Sequence, residues 1–360
     1  MENVGAGANL SFAMPANLSP EYKKAEQTFR QAREPRERLD CLKEMLRTIP
    51  KHKGTEHIQA DIKSRIKQLT DELQGPRKGA ARSASAYALR REGAAQICLV
   101  GPPNSGKSSL HAVLTGSKSE VGPFPFTTRA PVPGMLVYED IAFQLVDLPP
   151  VSREHMEPGL LGVLQGADAA WLVVDLGDPA CTDHVLAIRE DLAQRKITLS
   201  DRWPAAGSTP ARAASEDDGS AEVPDPFSVR LPTLLVANKS DRDPGPEEVS
   251  VLEELLGIRY PALAVSATGG QGLGQLAPFL FKALGIARVY TKVPGKAPDK
   301  GRPFTVRAGD RVLDVARLVH QDIAGTLKYA RIWGSGEFNG QQVGPEYRVA
   351  DGDVLELHAR

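Results

Sequence analysis

Between positions 101 and 108 the chain reads Gly101-Pro102-Pro103-Asn104-Ser105-Gly106-Lys107-Ser108. A glycine, four residues and then Gly-Lys-Ser is the spacing at which a loop of small residues can turn its backbone N–H groups onto a phosphate. In such a loop Lys107 reaches the β- and γ-phosphates of a nucleotide, Asn104, Ser105, Gly106 and Ser109 line the turn, and the Ser108 hydroxyl is placed to ligate magnesium. Read alone, the octet is also what a glycine-rich turn looks like, so its context decides. An apolar run, Ile97 to Val100, ends directly before it, and a strand feeding the loop is the arrangement this chemistry requires.

Three more polar groups stand in the same relation to apolar runs. Asp147 closes the run Ile141 to Val146, and a carboxylate at the carboxyl edge of a parallel sheet can hold magnesium through water. Asn238-Lys239-Ser240-Asp241 follows Leu231 to Ala237; an Asn and an Asp so placed can hydrogen-bond a guanine edge, the carboxylate pairing with the N1 and N2 donors that adenine lacks. Ser266-Ala267-Thr268, after Ala262 to Val265, supplies the remaining base contact. Each group is a polar turn when taken singly, but their order along the chain makes chance a poor account of all of them.

The elements that must position these groups follow from the same runs. Short apolar stretches, with Trp171 to Val174 among them, alternate with helical patterns, which is the signature of an α/β domain with a mostly parallel sheet, expected over 93–290. Within it, residues 201–229 carry Pro204, Pro210, Pro224, Pro226 and the run Glu216-Asp217-Asp218, too polar to build a core, and read as a disordered acidic insertion. Ahead of the domain, residues 1–17 read as a disordered tail and 18–92 as a basic helical region. There Ser19-Pro20 signals a helix start, and Ile58, Ile62, Ile66, Leu69 and Leu73 recur on one helical face with Lys63 and Lys67 on another. Residues 20–92 hold 18 Lys and Arg against 11 Asp and Glu. Such a surplus suits either a solvated helix face or the phosphates of RNA.

Beyond the α/β domain, the Pro-, Gly- and Lys-rich stretch 291–301 reads as a linker and 302–360 as a small β-grasp domain. In it Phe304 and Val306 alternate as in a strand, while Val312, Ala316, Val319 and Ile323 follow helical spacing. Its basic and acidic residues nearly balance, so charge alone does not mark it as an RNA binder, and His320 and Trp333 read as core or edge residues. Of the 360 residues, 41% are hydrophobic and 25% charged, with a formal charge of -1, a composition that excludes a wholly disordered or low-complexity chain. No apolar run approaches the roughly 18 residues that cross a bilayer, and the first residues lack a signal-peptide pattern, so the expected location is cytoplasmic, without membrane contact. Cys41, Cys98 and Cys181 are too scattered for a zinc site or a disulfide framework and read as reduced thiols.

Phe124-Pro125-Phe126-Thr127-Thr128 resembles the switch I motif of the Obg-like branch of translation-factor-class GTPases. Two further stretches, Arg47-Thr48-Ile49-Pro50-Lys51-His52-Lys53-Gly54-Thr55-Glu56-His57 and Leu327-Lys328-Tyr329-Ala330-Arg331-Ile332-Trp333-Gly334, narrow the resemblance to the developmentally regulated GTP-binding proteins. It covers nearly the whole chain and implies a helical N-terminal region, a P-loop GTPase domain and a C-terminal TGS domain of ubiquitin-like β-grasp type. It also implies GTP and GDP as ligands, magnesium held by Ser108, Thr128 and Asp147, catalysis resting on Lys107 and Thr128, and a role at the ribosome or ribosomal RNA. An activating protein is a further partner the resemblance leaves open.

The chain departs from that family at 201–229, where an extra α/β domain is usual, and at Pro150, where the family has a glycine whose N–H senses the γ-phosphate; proline has no N–H. Val151 stands where Ras-like enzymes orient water with glutamine, so intrinsic hydrolysis should be slow, and Glu154 and His155 are nearby polar residues that read as exposed loop. Asn104 accompanies potassium-stimulated hydrolysis in related GTPases, which implies potassium near it. An alternative reading is a nucleotide-gated or hydrolysis-deficient adaptor for the ribosome or RNA; an ATPase conflicts with Asn238 to Asp241.

Overall fold

The computed structural model describes residues 19–32, 35–50, 55–74, 89–117, 130–151, 158–204, 227–242 and 246–359. Expectations for the tail, residues 51–54 of the stretch Arg47 to His57, the segment 124–128 with Thr128, Glu154, His155 and most of 201–229 fall outside these residues. The described residues fall into two compact units, one formed by the N-terminal helices with Phe227 and Ser228, the other by 89–204 and 229–359.

Helix α1 (Pro20–Gln31) starts where Ser19 accepts a hydrogen bond from the Tyr22 N–H at 3.1 Å, with proline in its first turn. Tyr22, Ala25 and Phe29 bury one face against Leu42, Met45 and Ile49 of α2 (Pro35–Thr48) and its end. Ile58 and Ile62 of α3 (Glu56–Gln74) join this core, and Ile66 and Leu69 lie half-buried against it. Leu73 is 38% exposed, so the apolar face predicted for this helix runs out in its last turn. Phe227 closes the same core, edge-on to Phe29 with ring centroids 6.2 Å apart and under the Arg65 guanidinium.

The second unit holds two sheets. The first contains β1 (Gln96–Val100), β2 (Val132–Tyr138), β3 (Ile141–Asp147), β4 (Ala169–Asp175), β5 (Ile197–Ser200), β6 (Val229–Asn238) and β7 (Ala262–Ala264). Its order is β2-β3-β1-β4-β6-β5 with β7 also on β6, parallel throughout except for β2. β2 and β5 are additional to the runs read from sequence. β2 is half exposed and so lacks a continuous apolar run, and β5 is only four residues long. Helices α4 (Lys107–Thr115) and α8 (Leu276–Ala283) cover one face through Leu110, Leu276 and Leu280. The other face is covered by α5 (Pro158–Gly166), α6 (Cys181–Ala193) and α7 (Pro246–Leu256) through Leu164, Val185, Leu192 and Leu252. β1 lies between β3 and β4, so the connections leave it in opposite directions, and the crevice beyond its carboxyl end is where open parallel sheets bind ligands.

The second sheet has the order β11-β10-β12-β8-β9, from β8 (Ile286–Thr291), β9 (Asp299–Arg307), β10 (Leu327–Trp333), β11 (Gln341–Val343) and β12 (Asp353–Ala359). Helix α9 (Val312–Val319) packs Val312, Val315 and Ala316 onto it, and a short α10 (Gln321–Thr326) follows. This β-grasp arrangement corrects the sequence-based boundary. β8, which the reading left in the α/β domain, pairs with β9 and β12, and the stretch read as a linker is the β8–β9 connection together with the start of β9. Its Pro and Gly content serves a hairpin connection as well as a tether, so composition could not tell the two apart. His320 caps α10, its Nδ1 accepting from Asp322 N–H at 3.2 Å, and Trp333 is half-buried under the Lys292 ammonium, 3.9 Å from the ring centroid. Among the described residues no helix is long and apolar enough to cross a membrane. All three cysteines are unpaired thiols, and burial pushes the Cys98 thiol well up.

Candidate nucleotide-binding site

The loop between β1 and α4 takes its shape from two glycines. Gly101 passes so close to β4 that a Cβ there would sit 2.1 Å from the Val173 carbonyl oxygen. Gly106 has φ 88°, a left-handed conformation that L side chains rarely adopt, and opens α4. The N–H groups of the first turn of α4 therefore face the loop, and such a terminus favours an anion. Lys107 is buried, its ammonium donating to the carbonyls of Gly101 at 2.9 Å and Pro102 at 2.7 Å. Burial pushes this lysine down to about 8, with Asp147 pulling the other way. Ser105 is buried in the loop, and Ser109 is half-buried in the first turn of α4.

Ser108 donates its hydroxyl to Asp147 Oδ2 at 2.6 Å, bringing the start of α4 onto the end of β3. Asp147 is 1% exposed. A hydroxyl and a buried carboxylate are hard oxygen donors of the kind magnesium takes while keeping several waters, so these residues fit that ion. One turn on, burial pushes the His111 imidazole down, Asp147 again opposing. The segment resembling switch I, with Thr128, lies outside the described residues. Val151, six per cent exposed, packs in the core with Leu148 and Leu160, so it faces the protein interior.

On the other side of the loop, β6 delivers Asn238, Lys239 and Asp241. The structure gives Asn238 a tying role that the sequence reading did not anticipate. Its amide donates to the Ser105 carbonyl at 2.9 Å and accepts the Ala267 N–H at 3.1 Å, tying the phosphate loop to the turn after β7. Asn238 is buried because it is the last residue of a central strand, directly beneath the loop. Asp241, in the following exposed turn, is the group free to meet a base edge. It accepts the Ser266 hydroxyl at 2.5 Å, which holds its carboxyl below the usual range and therefore ionised. Ser266 in turn accepts the Gly269 N–H at 2.8 Å.

Lys239 spans the site. Its ammonium donates to the Asn104 carbonyl at 2.9 Å and to Asp175 Oδ2 at 2.5 Å. Sequence reasoning missed Asp175, although the signal was present: like Asp147, it is a carboxylate at the end of an apolar run.

Residues 96–202 match the family model described as 50S ribosome-binding GTPase, and residues 287–359 match the TGS domain. A GTP-binding protein of Methanocaldococcus jannaschii is 28% identical over 89% of this chain and 92% of its own length. Developmentally-regulated GTP-binding protein 2 of Mus musculus is likewise 28% identical, over 88% and 96%. Developmentally regulated GTP-binding proteins are among the chain's homologues. The first sheet with its helices is thus a P-loop GTPase domain, and the second is a TGS domain. In fold the chain also matches the YchF GTPase of Schizosaccharomyces pombe, with a TM-score of 0.51 at 14% identity over 75% of this chain and 99% of the other.

Proposed function

We propose that this protein binds GTP and GDP with magnesium, hydrolyses GTP slowly, and acts in the cytoplasm as a ribosome-associated factor in translation or ribosome assembly. The observation that carries the reading is the convergence, at the carboxyl edge of one sheet, of a lysine-bearing phosphate loop, the Ser108–Asp147 pair and an ionised Asp241 held by Ser266. Magnesium, when bound, neutralises charge between the β- and γ-phosphates. Ser108 and Asp147 would hold it; Lys107 would turn from its two loop carbonyls to phosphate oxygens, and Asp241 would accept from the base donors that distinguish guanine from adenine.

Val151, at the position where a water-orienting glutamine would stand, is in the core. Slow intrinsic turnover, raised by potassium near Asn104 or by a partner, follows from that gap. The Asn104 side chain is exposed at the lip of the loop, where a monovalent cation would add positive charge beside the phosphates. Ribosome association is supported by the description of the GTPase family model and by the basic residues of α1–α3, among them the exposed Lys63 and Lys67. The second reading, a nucleotide-gated adaptor that does not turn over, is favoured by Pro150, which cannot donate to a γ-phosphate, together with buried Val151.

GTP hydrolysis measured in potassium and in sodium, with and without ribosomes, separates the two, with Lys107→Ala as the control. Turnover above that control, raised by potassium or ribosomes, supports the enzyme. Tight GTP binding without turnover in any condition supports the adaptor. Displacement of bound GTP by ADP as readily as by GDP would sink both.

A further inference from the structure

Asp175 ends β4 directly opposite Asn238 in the parallel β4–β6 register, so the ladder places its carboxylate beside the guanine-recognition turn. One oxygen, Oδ1, accepts the Gly177 N–H at 3.1 Å and so orients the group; the other takes the Lys239 ammonium at 2.5 Å. That ammonium also bonds the Asn104 carbonyl. The strap therefore joins three separate segments: the end of β4, the turn after β6 and the phosphate loop.

Both residues bridged by the strap are under backbone constraint. Asn104 has φ 60° and Lys239 φ 64°, left-handed values that cost energy for residues with a Cβ. The Lys239 stem has four rotatable bonds, which Asn104 alone would hold against water with a single neutral acceptor. A carboxylate supplies a charge-assisted second bond, stronger than a neutral one. The ion pair is also partly shielded from solvent, with side chains 24% and 15% exposed for Lys239 and Asp175.

We propose that Asp175 is a positioning residue for nucleotide retention: it pins Lys239 across the site and so fixes the phosphate loop to the base-recognition turn. The inference rests on the reading of this site as one for guanine nucleotides. Asp175 acts through Lys239 and Asn104, away from the Ser108–Asp147 pair, so GDP and GTP are retained through it alike. It does not set base choice, which belongs to Asp241.

Release of a fluorescent GDP analogue, chased with unlabelled GDP, tests this. Asp175→Ala is expected to speed release about tenfold, equivalent to about 1.4 kcal/mol, with GTP release speeded by the same factor and preference for GDP over ADP kept. Asp175→Asn, which keeps an acceptor for Gly177 but loses the charge, gives a smaller increase and serves where the alanine variant is unstable by thermal unfolding. Lys239→Ala also speeds release, and adding Asp175→Ala to it changes nothing more, because the partner is already gone. Unchanged release in both Asp175 variants overturns the proposal. So does the same acceleration in the Lys239→Ala background, which would mean that Asp175 acts through the Gly177 turn. A folded wild-type protein that retains no GDP analogue overturns instead the guanine-nucleotide reading beneath it.

Discussion

A methyl group at Gly106 would lie 2.2 Å from Asn238 Nδ2, at a backbone angle that alanine already resists. Gly106→Ala is therefore expected to push Asn238 off the Ser105 carbonyl and abolish nucleotide binding, with the far-ultraviolet circular dichroism of the fold retained; wild-type affinity in a GDP titration would show that the loop is not the binding element. Asp241 and Ser108 separate by chemistry. Asp241→Asn removes a charged acceptor, a loss of about 1.5–3 kcal/mol or roughly tenfold to a hundredfold in affinity, and narrows the gap between guanine and other bases. Ser108→Ala leaves base choice intact and flattens the dependence of affinity on magnesium concentration. Isothermal titrations with GDP and inosine diphosphate, with and without magnesium, read both. The residue types at these positions were legible because each stands at the end of an apolar run. Which of them ties loops together was not: Asn238 and Asp241 are three residues apart in one motif, yet one lies buried beneath the loop and the other in an exposed turn.

At the scale of elements, β2 and β3 form a hairpin whose tip, Glu139 and Asp140, meets β8 of the TGS domain. Arg288 bonds Glu139, Asp140 and, from its own domain, Asp351, and its pKa is raised chiefly by the Asp351 hydrogen bond. Tyr290 donates to Asp140 at 2.5 Å. The Arg288 hydrogen bond holds Asp351 below its ordinary range; at Asp140 burial, the largest influence, acts upward but is outweighed by the bonds from Tyr290 and Arg288. A carboxylate whose folded pKa is depressed contributes stability above its unfolded value, about 3.9, and loses it as the pH falls through the folded value. The stability difference between wild type and Arg288→Met should therefore be full at pH 6 and shrink as the pH drops below about 4, measured by urea unfolding at each pH. A difference that stays constant down to pH 2.5 would mean that packing, and not charge, is what Arg288 contributes. Nothing in the local sequence announces this cluster, since Glu139 and Arg288 are far apart along the chain and each reads as an ordinary surface charge.

For the second unit as a whole, the two sheets are joined by a buried charge. Arg307, at the end of β9, donates to the Leu284 carbonyl at 2.9 Å and to Asp168 Oδ1 at 3.2 Å; the other Asp168 oxygen takes the Gln96 N–H at 2.8 Å and Arg91. Removing one partner of such a pair leaves the other buried with less compensation, a loss of about 3 kcal/mol where no other partner remains. Because Asp168 keeps Arg91 and Gln96, Arg307→Met should cost about half of that, lowering the thermal midpoint by several degrees with nucleotide binding unchanged. A midpoint equal to wild type would place the joint between the domains elsewhere.

The sequence by itself determined the α/β class with its small second sheet domain, and the place of the polar groups at the ends of strands, because these depend on short-range properties: hydrophobic period, strand-end placement and loop composition. It did not determine that β8 belongs to the second sheet, that Asn238 ties the phosphate loop to the turn after β7, or that Asp175 holds Lys239. Each of those depends on which distant segments the parallel sheet sets side by side. A strand's period specifies its faces but not its neighbours, so only the tertiary structure, by choosing the order β3-β1-β4-β6, brought Asp147, Lys107, Asp175 and Lys239 around one loop.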